Sequence, residues 1–71
     1  MFELLQTFVF VAEEGTITAA ARRAHVTQPA LTSALKRLEA LVGATLVVRS
    51  RPRVALTAAG SALLPHARAA L

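Results

Sequence analysis

The stretch TQPALTSALKRLEALVG, residues Thr27–Gly43, predicts a helix whose two ends are both marked. Thr27 can cap the N-terminus with its hydroxyl, and Pro29 lies in the first turn, where its missing N–H would have had no intrahelical partner. Gly43 can adopt the left-handed conformation that closes a helix. The apolar spacing predicts a core-facing stripe of Leu31, Leu35, Leu38 and Val42, flanked by Ala34 and Leu41.

The opposite face of this helix is polar. It carries amide and hydroxyl groups near its start and two cations further along: Gln28, Pro29, Thr32, Ser33, Lys36 and Arg37. Such a face suits an anionic, hydrogen-bonding surface. A polar face opposite an apolar stripe is nevertheless most often just solvated. The rest of the chain has to decide between these two interpretations.

Length and composition exclude several classes of protein. A chain of 71 residues is one small domain, and it buries only about 60% of its unfolded surface, so we expect marginal stability or completion by a partner. With no cysteine, disulfides and thiolate zinc sites are excluded. The longest apolar run, Phe8–Ala12, is far too short to cross a bilayer. We expect a cytoplasmic protein of bacterial type, without membrane contact or a targeting signal.

The charge is unevenly distributed along the chain. Net charge is +4, and three of the four acidic residues lie within the first fourteen positions. Residues 22–53 hold seven cations and one acid, Glu39, which gives that segment a charge of +6 (7 − 1). A small domain with a cluster of basic residues is typical of polyanion binding.

The chain before Thr27 predicts two helices. Residues 2–14 have helical apolar spacing and end at Gly15. A short helix, residues 19–24, can be capped by Thr16 or Thr18, and His25-Val26 forms the turn into the long helix. This is helix-turn-helix spacing, in which the second helix enters the DNA major groove. A lone His25 with no acid or cysteine at metal-ligand spacing is best interpreted as a turn residue or as the neighbour of a phosphate.

After Gly43 the pattern changes to strands. Residues 45–49 and 53–56 are β-prone, and Ser50-Arg51-Pro52 forms the turn between them. A hairpin this small must lie against the helices, so it is a wing. Its arginines (Arg49, Arg51 and Arg53) can follow the phosphate backbone or enter a narrow minor groove.

Thr57 can cap a last helix, residues 58–71, which Pro65 would bend or end. No further helix is available to cover its apolar flank, so we expect a homodimer formed through that flank: Leu63, Leu64, Ala67, Ala70 and Leu71. We divide the chain into a DNA-binding domain, residues 1–57, and the start of a linker or dimerisation helix, residues 58–71.

This order of elements carries a resemblance that spans nearly the whole chain. The matching stretches are FVFVAEEG at residues 8–15, TAAA at 18–21, HVTQPALT at 25–32, Leu38-Glu39, Gly43, and LTAAG at 56–60. They resemble the N-terminal DNA-binding domain of LysR-type transcriptional regulators. The resemblance implies a mostly α winged helix-turn-helix with a three-helix core, a two-stranded wing and a C-terminal dimerisation helix. It also implies a separate effector-sensing domain, absent here, and a dimer or tetramer in the full-length protein.

The resulting hypothesis is sequence-specific binding of double-stranded DNA, with residues 28–42 in the major groove and the wing, residues 46–56, on the backbone or minor groove. The resemblance assigns roles to Thr27, Gln28, Pro29, Thr32 and the three wing arginines. Ser33 departs from the family, in which a longer basic residue is common. The predicted DNA-binding residues are Thr18, Thr27, Gln28, Pro29, Thr32, Ser33, Lys36, Arg49, Arg51 and Arg53.

Three alternatives remain at this point. The first is a helix-turn-helix used for protein association or dimerisation, which predicts DNA binding that is insensitive to salt and sequence. An enzyme has little support, since four acids and two histidines, His25 and His66, offer no nucleophile–base pair or metal set. A related fold, the winged helix of molybdate-responsive regulators, would also bind DNA but would respond to a different effector. We expect no cofactor and no metal.

Overall fold

The computed structural model describes residues 1–71 as four helices and a two-stranded sheet, which confirms the predicted mostly α winged helix-turn-helix. In chain order the elements are α1 (Phe2–Glu14), α2 (Ile17–Ala24), α3 (Gln28–Val42), β1 (Val47–Ser50), β2 (Arg53–Leu56) and α4 (Ala58–Ala70).

Threonine caps fix the starts of three helices. The hydroxyls of Thr16, Thr27 and Thr57 each accept a backbone N–H from three residues further on, at 3.1, 3.2 and 3.0 Å. Gly15 and Gly43 end α1 and α3 with φ of 78° and 80°. Because Thr16 is the cap, α2 begins at Ile17, two residues before the predicted start.

The helix-turn-helix consists of α2 and α3 joined at His25-Val26. His25 has a φ of 58° and ends α2, and its backbone N–H is donated to the carbonyls of Ala21 and Arg22. The predicted turn position of His25 is therefore confirmed. The side chains of Ala20 and Ala21 are buried, and their small size lets α2 lie close to its neighbours.

The core forms where α1 meets the other helices. Phe8, Val11, Leu31 and Leu38 are at most 1% exposed. The last helix, α4, packs back on α1 and is continuous through Pro65. Part of the apolar flank of α4, which we expected a second copy to cover, is therefore covered by α1.

The predicted apolar stripe of α3 is shorter in the structure. Leu31, Leu35 and Leu38 are buried, but Leu41 and Val42 are 60% and 44% exposed. The chain turns at Gly43 and brings Leu46 and Val47 into the core. The carboxylate of Glu39 accepts the backbone N–H groups of these two residues, at 2.7 and 3.4 Å.

The wing is an antiparallel hairpin in which Val47 pairs with Leu56 and Ser50 with Arg53. Its first strand begins at Val47, two residues after the predicted start. The N–H of Val54 in β2 donates to the carbonyl of Gly15 (2.9 Å), which fixes the wing to the body. The N–H of Thr57 donates to the carbonyl of Leu46 (3.0 Å), which closes the base of the hairpin. None of the helices is long and apolar enough to cross a membrane.

Candidate nucleic-acid interface

A groove runs between the start of α3, the start of α2 and the wing. It brings residues that lie far apart in the sequence onto one surface. Its lining consists of Ile17, Thr18, Gln28, Pro29, Thr32, Ser33, Arg49, Arg51, Pro52, Arg53 and Val54. The structure thus brings together all but two of the predicted DNA-binding residues.

The two predicted residues outside the groove lie beside it on α3. The side chain of Thr27 is engaged as the N-cap, where it accepts the N–H of Ala30. Lys36 is exposed on α3, one turn beyond Thr32.

Sequence reasoning missed three lining residues: Ile17, Pro52 and Val54. Their positions carried a weak signal, because Ile17 precedes Thr18, Pro52 lies between Arg51 and Arg53, and Val54 follows Arg53.

One hydrogen bond between two side chains joins the wing to α3. Nη2 of Arg49 donates to Oγ1 of Thr32 at 3.0 Å. A second close approach is made at Gly15, where the guanidinium of Arg53 lies against the glycine and occupies the space that a β-carbon would take. These contacts place two wing arginines along the edges of the groove.

The arginines that line the groove have no carboxylate partner. All three ion pairs of the molecule use Glu13 or Glu14, which bind Arg23 and Arg68 instead. The two remaining acids do not neutralise the positive charge of the groove, since Glu39 binds backbone N–H groups and Glu3 makes no ion pair. An uncompensated cluster of three guanidinium groups favours an anionic partner.

Arg23 has a structural role in this arrangement. Its Nη1 lies 2.8 Å from Oε1 of Glu13 and 3.1 Å from Oε2 of Glu14, and its guanidinium lies over the ring of Phe10 at 4.3 Å. The hydrogen bond from Arg23 lowers the pKa of Glu13 below its ordinary value, and Arg68 adds to this effect. Arg23 is therefore not a free cation, although it contributes to the +6 segment.

The predicted dimerisation residues of α4 differ in accessibility. Ala67 is 1% exposed and belongs to the core, so it has no surface to offer a partner. Leu63 and Leu64 are partly buried against the core, whereas Ala70 is exposed and Leu71 is 46% exposed. No group of three or more His, Cys, Asp or Glu residues lies together in a way that could hold a metal ion.

Comparison with known proteins gives a consistent result. A family model described as "Bacterial regulatory helix-turn-helix protein, lysR family" matches residues 2–61. The transcriptional regulator TcbR of Pseudomonas sp. (strain P51) is 48% identical over 67 residues, which is 94% of this chain and 23% of that protein. AlsR of Bacillus subtilis (strain 168), also a transcriptional regulator, is 51% identical over 67 residues, 94% of this chain and 22% of that protein.

Solved structures agree with the fold over almost the whole chain. The crystal structure of the CbnR_DBD–DNA complex has a TM-score of 0.94 and 46% identity, covering 99% of this chain and 80% of that one. Oxidized OxyR of Corynebacterium glutamicum has a TM-score of 0.95 and 38% identity, covering 99% of this chain and 23% of that one. The 71-residue chain thus spans about a quarter of the full-length relatives that it matches.

Proposed function

The chain belongs to the lysR family of bacterial regulatory helix-turn-helix proteins, and from that premise we propose that it binds double-stranded DNA in a sequence-specific way. In this proposal α3 enters the major groove and the wing lies on the backbone or in the minor groove. The observation that carries it is the groove itself, in which the polar first turns of α3 face three arginines without carboxylate partners. The similarity to a protein solved with DNA supports the same partner.

Within the groove we assign two kinds of contact. Gln28 lies in the first turn of α3, and its amide can bind adenine through two hydrogen bonds. Thr18, Thr32 and Ser33 offer hydroxyls for bases or phosphates. Arg51, Arg53 and the neighbouring Lys36 supply the charge that releases counterions from DNA.

The function of the whole protein is inferred from its relatives. Because the chain spans about a quarter of their length, we propose that it serves as the DNA-binding part, residues 1–57, and the start of the linker helix, residues 58–71, of a transcriptional regulator rather than an enzyme. A small-molecule effector would act through a domain outside these residues. A cytoplasmic location follows from the same proposal.

Replacing Gln28 by Ala tests the base-reading role. After selection of bound sites from a random duplex pool, we expect Gln28→Ala to lose preference at one base position by about 1–3 kcal/mol while still binding other duplexes. Gln6→Ala on α1, outside the groove, is the matched control and should keep the motif. Binding measured across single-base variants decides the outcome. Unchanged preference in Gln28→Ala would reject this role, and binding without a motif or salt dependence would favour the protein-association alternative.

We also propose that two copies pair through the exposed end of the α4 flank, with Leu63, Leu64, Ala70 and Leu71 at the interface. Sedimentation equilibrium of the 71-residue chain measures this pairing. Leu71→Asp should weaken self-association, since it places a charge in an apolar contact. Leu41→Asp is the matched control and should not weaken it, since Leu41 is also an exposed leucine but lies on α3. If only Leu41→Asp weakens pairing, the interface lies on α3 instead.

A further inference from the structure

We propose that Arg49 is a positioning residue for Thr32. By donating to the hydroxyl oxygen of Thr32, Arg49 directs the hydroxyl proton into the groove, and this determines which base can lie beside Thr32. This inference rests on the proposed function and deepens it, because it states that Thr32 donates, rather than accepts, the hydrogen bond to a base. The guanidinium of Arg49 donates to Oγ1 of Thr32 at 3.0 Å. It is the only hydrogen bond between two side chains that joins the wing to α3.

The direction follows from the chemistry of the two groups. A guanidinium has donors only, whereas a hydroxyl has one proton and two lone pairs. Thr32 therefore accepts from Arg49 and must direct its own proton elsewhere. A helical threonine often donates to the carbonyl one turn earlier, as Thr7 does to Glu3 at 2.9 Å. Thr32 makes no such bond to Gln28, so its proton is free for a group in the groove.

A fixed donor discriminates among bases in the major groove. Thymine presents the acceptor O4 and guanine presents O6 and N7, whereas cytosine presents only its amino donor. Adenine also presents an acceptor, N7, beside its amino donor. With one lone pair of Oγ1 taken by Arg49 and the proton directed into the groove, the Thr32 hydroxyl would therefore pair with thymine, guanine or adenine and face cytosine donor to donor. A buried donor left without a partner is unfavourable beyond the loss of the bond.

Without Arg49 the same hydroxyl would lose this selectivity. A free threonine hydroxyl rotates and can donate to one base or accept from another. Arg49 is free to act in this way because no carboxylate competes for its guanidinium. Its other N–H groups remain available for a phosphate at the same time, since a guanidinium carries five donors.

The experiment compares binding of the 71-residue chain to the selected duplex and its single-base variants. Thr32→Val removes the hydroxyl at nearly constant shape, and the base whose preference it abolishes is the one that Thr32 faces. At that position we expect the wild type to disfavour cytosine about tenfold and Arg49→Met about twofold. Adding Arg49→Met to Thr32→Val should leave the ratio unchanged.

Arg51→Met is the matched control, because Arg51 also lies on the wing and makes no hydrogen bond to α3. It should weaken all duplexes by a common factor and keep the cytosine ratio of the wild type. Melting temperatures of all variants, measured alongside, identify any loss that comes from unfolding, and binding is then compared as a ratio within each variant.

Two results would overturn the inference alone. One is an unchanged cytosine ratio in Arg49→Met, which would make Arg49 a phosphate contact only. The other is a Thr32→Val variant that keeps every base preference. A selection that yields no motif for the wild type is a different result, because it would reject the proposed function and this inference together.

Discussion

Gly60 shows how one residue can limit the position of a helix. It is buried in the first turn of α4, where a β-carbon would collide with the carbonyl oxygen of Leu46. That carbonyl is held in place because it accepts the N–H of Thr57 at 3.0 Å. The glycine thus lets α4 approach the chain that enters the wing.

We predict that Gly60→Ala destabilises the fold. Alanine favours a helix by about 0.5–1 kcal/mol over glycine, but overpacking against a fixed backbone costs about 1–3 kcal/mol. Urea unfolding of the variant should therefore give a lower free energy of unfolding than the wild type. Ser61→Ala, exposed on the same turn, is the control and should be neutral or slightly stabilising. A Gly60→Ala variant as stable as the wild type would mean that α4 shifts away from the carbonyl of Leu46 without loss of folding free energy.

At the scale of elements, the wing is an arm fixed to the body at its base and free at its tip. The hydrogen bond from Val54 to Gly15 holds β2 on the body, and that from Thr57 to Leu46 closes the base of the hairpin. The tip, Arg51-Pro52, forms the turn between the strands. This arrangement keeps the position of the arginines relative to α3 and leaves their guanidinium groups accessible.

We predict that Arg51→Ala changes the salt dependence of DNA binding. If Arg51 contacts one phosphate, the slope of log K against log salt should become shallower by about 0.9. Titrations at several salt concentrations, with one selected duplex and one unrelated duplex, measure the change. Both duplexes should weaken alike, because a phosphate contact carries no base preference.

Arg22→Ala is the control for that measurement. Arg22 is an exposed cation of α2 that does not line the groove. We expect its removal to leave the slope unchanged. An equal change for both variants would show that net charge, rather than the wing, determines the salt dependence.

At the scale of the whole molecule, Glu13 links three helices. From α1 it binds Arg23 of α2 at 2.8 Å and Arg68 of α4 at 3.2 Å. The hydrogen bond from Arg23, with help from Arg68, holds the pKa of Glu13 below its ordinary value of 4.5. Since the folded state favours the ionised carboxylate, this contribution to stability is complete above the pKa of the unfolded chain and is lost as the pH falls through the lower folded pKa.

We predict a pH-dependent effect of Glu13→Gln. The variant should melt at a lower temperature than the wild type at neutral pH, and the difference should shrink as the pH falls below 4.5 and through the lower folded pKa of Glu13. Thermal unfolding followed by circular dichroism across that range measures the difference. In a background lacking both arginines, Arg23→Gln/Arg68→Gln, the pH dependence of the Glu13→Gln effect should disappear. A difference that stays constant with pH would contradict the role of the ion pairs.

Sequence reasoning identified most of the groove through the start of α3 and the wing. Gln28, Pro29, Thr32 and the three arginines were expected to act together, and the fold places them on one surface. Sequence reasoning overestimated the positive charge that residues 22–53 offer to a partner, because Arg23 pairs with two acids that lie nine and ten residues earlier. Sequence reasoning also extended the core-facing stripe of α3 to Val42, and it expected only a second copy to cover the apolar flank of α4.

The sequence alone determined where α1 ends and where α3 and α4 begin, because caps act over three or four residues and carry their own signals at Gly15, Thr27, Gly43 and Thr57. Tertiary structure alone decided which side chains meet. The bond from Arg49 to Thr32 spans 17 residues, and that from Arg68 to Glu13 spans 55. Such contacts have no local signal, since they exist only after the core has fixed the angle and distance between elements. The role proposed for Thr32 therefore depends on the folded wing as much as on α3.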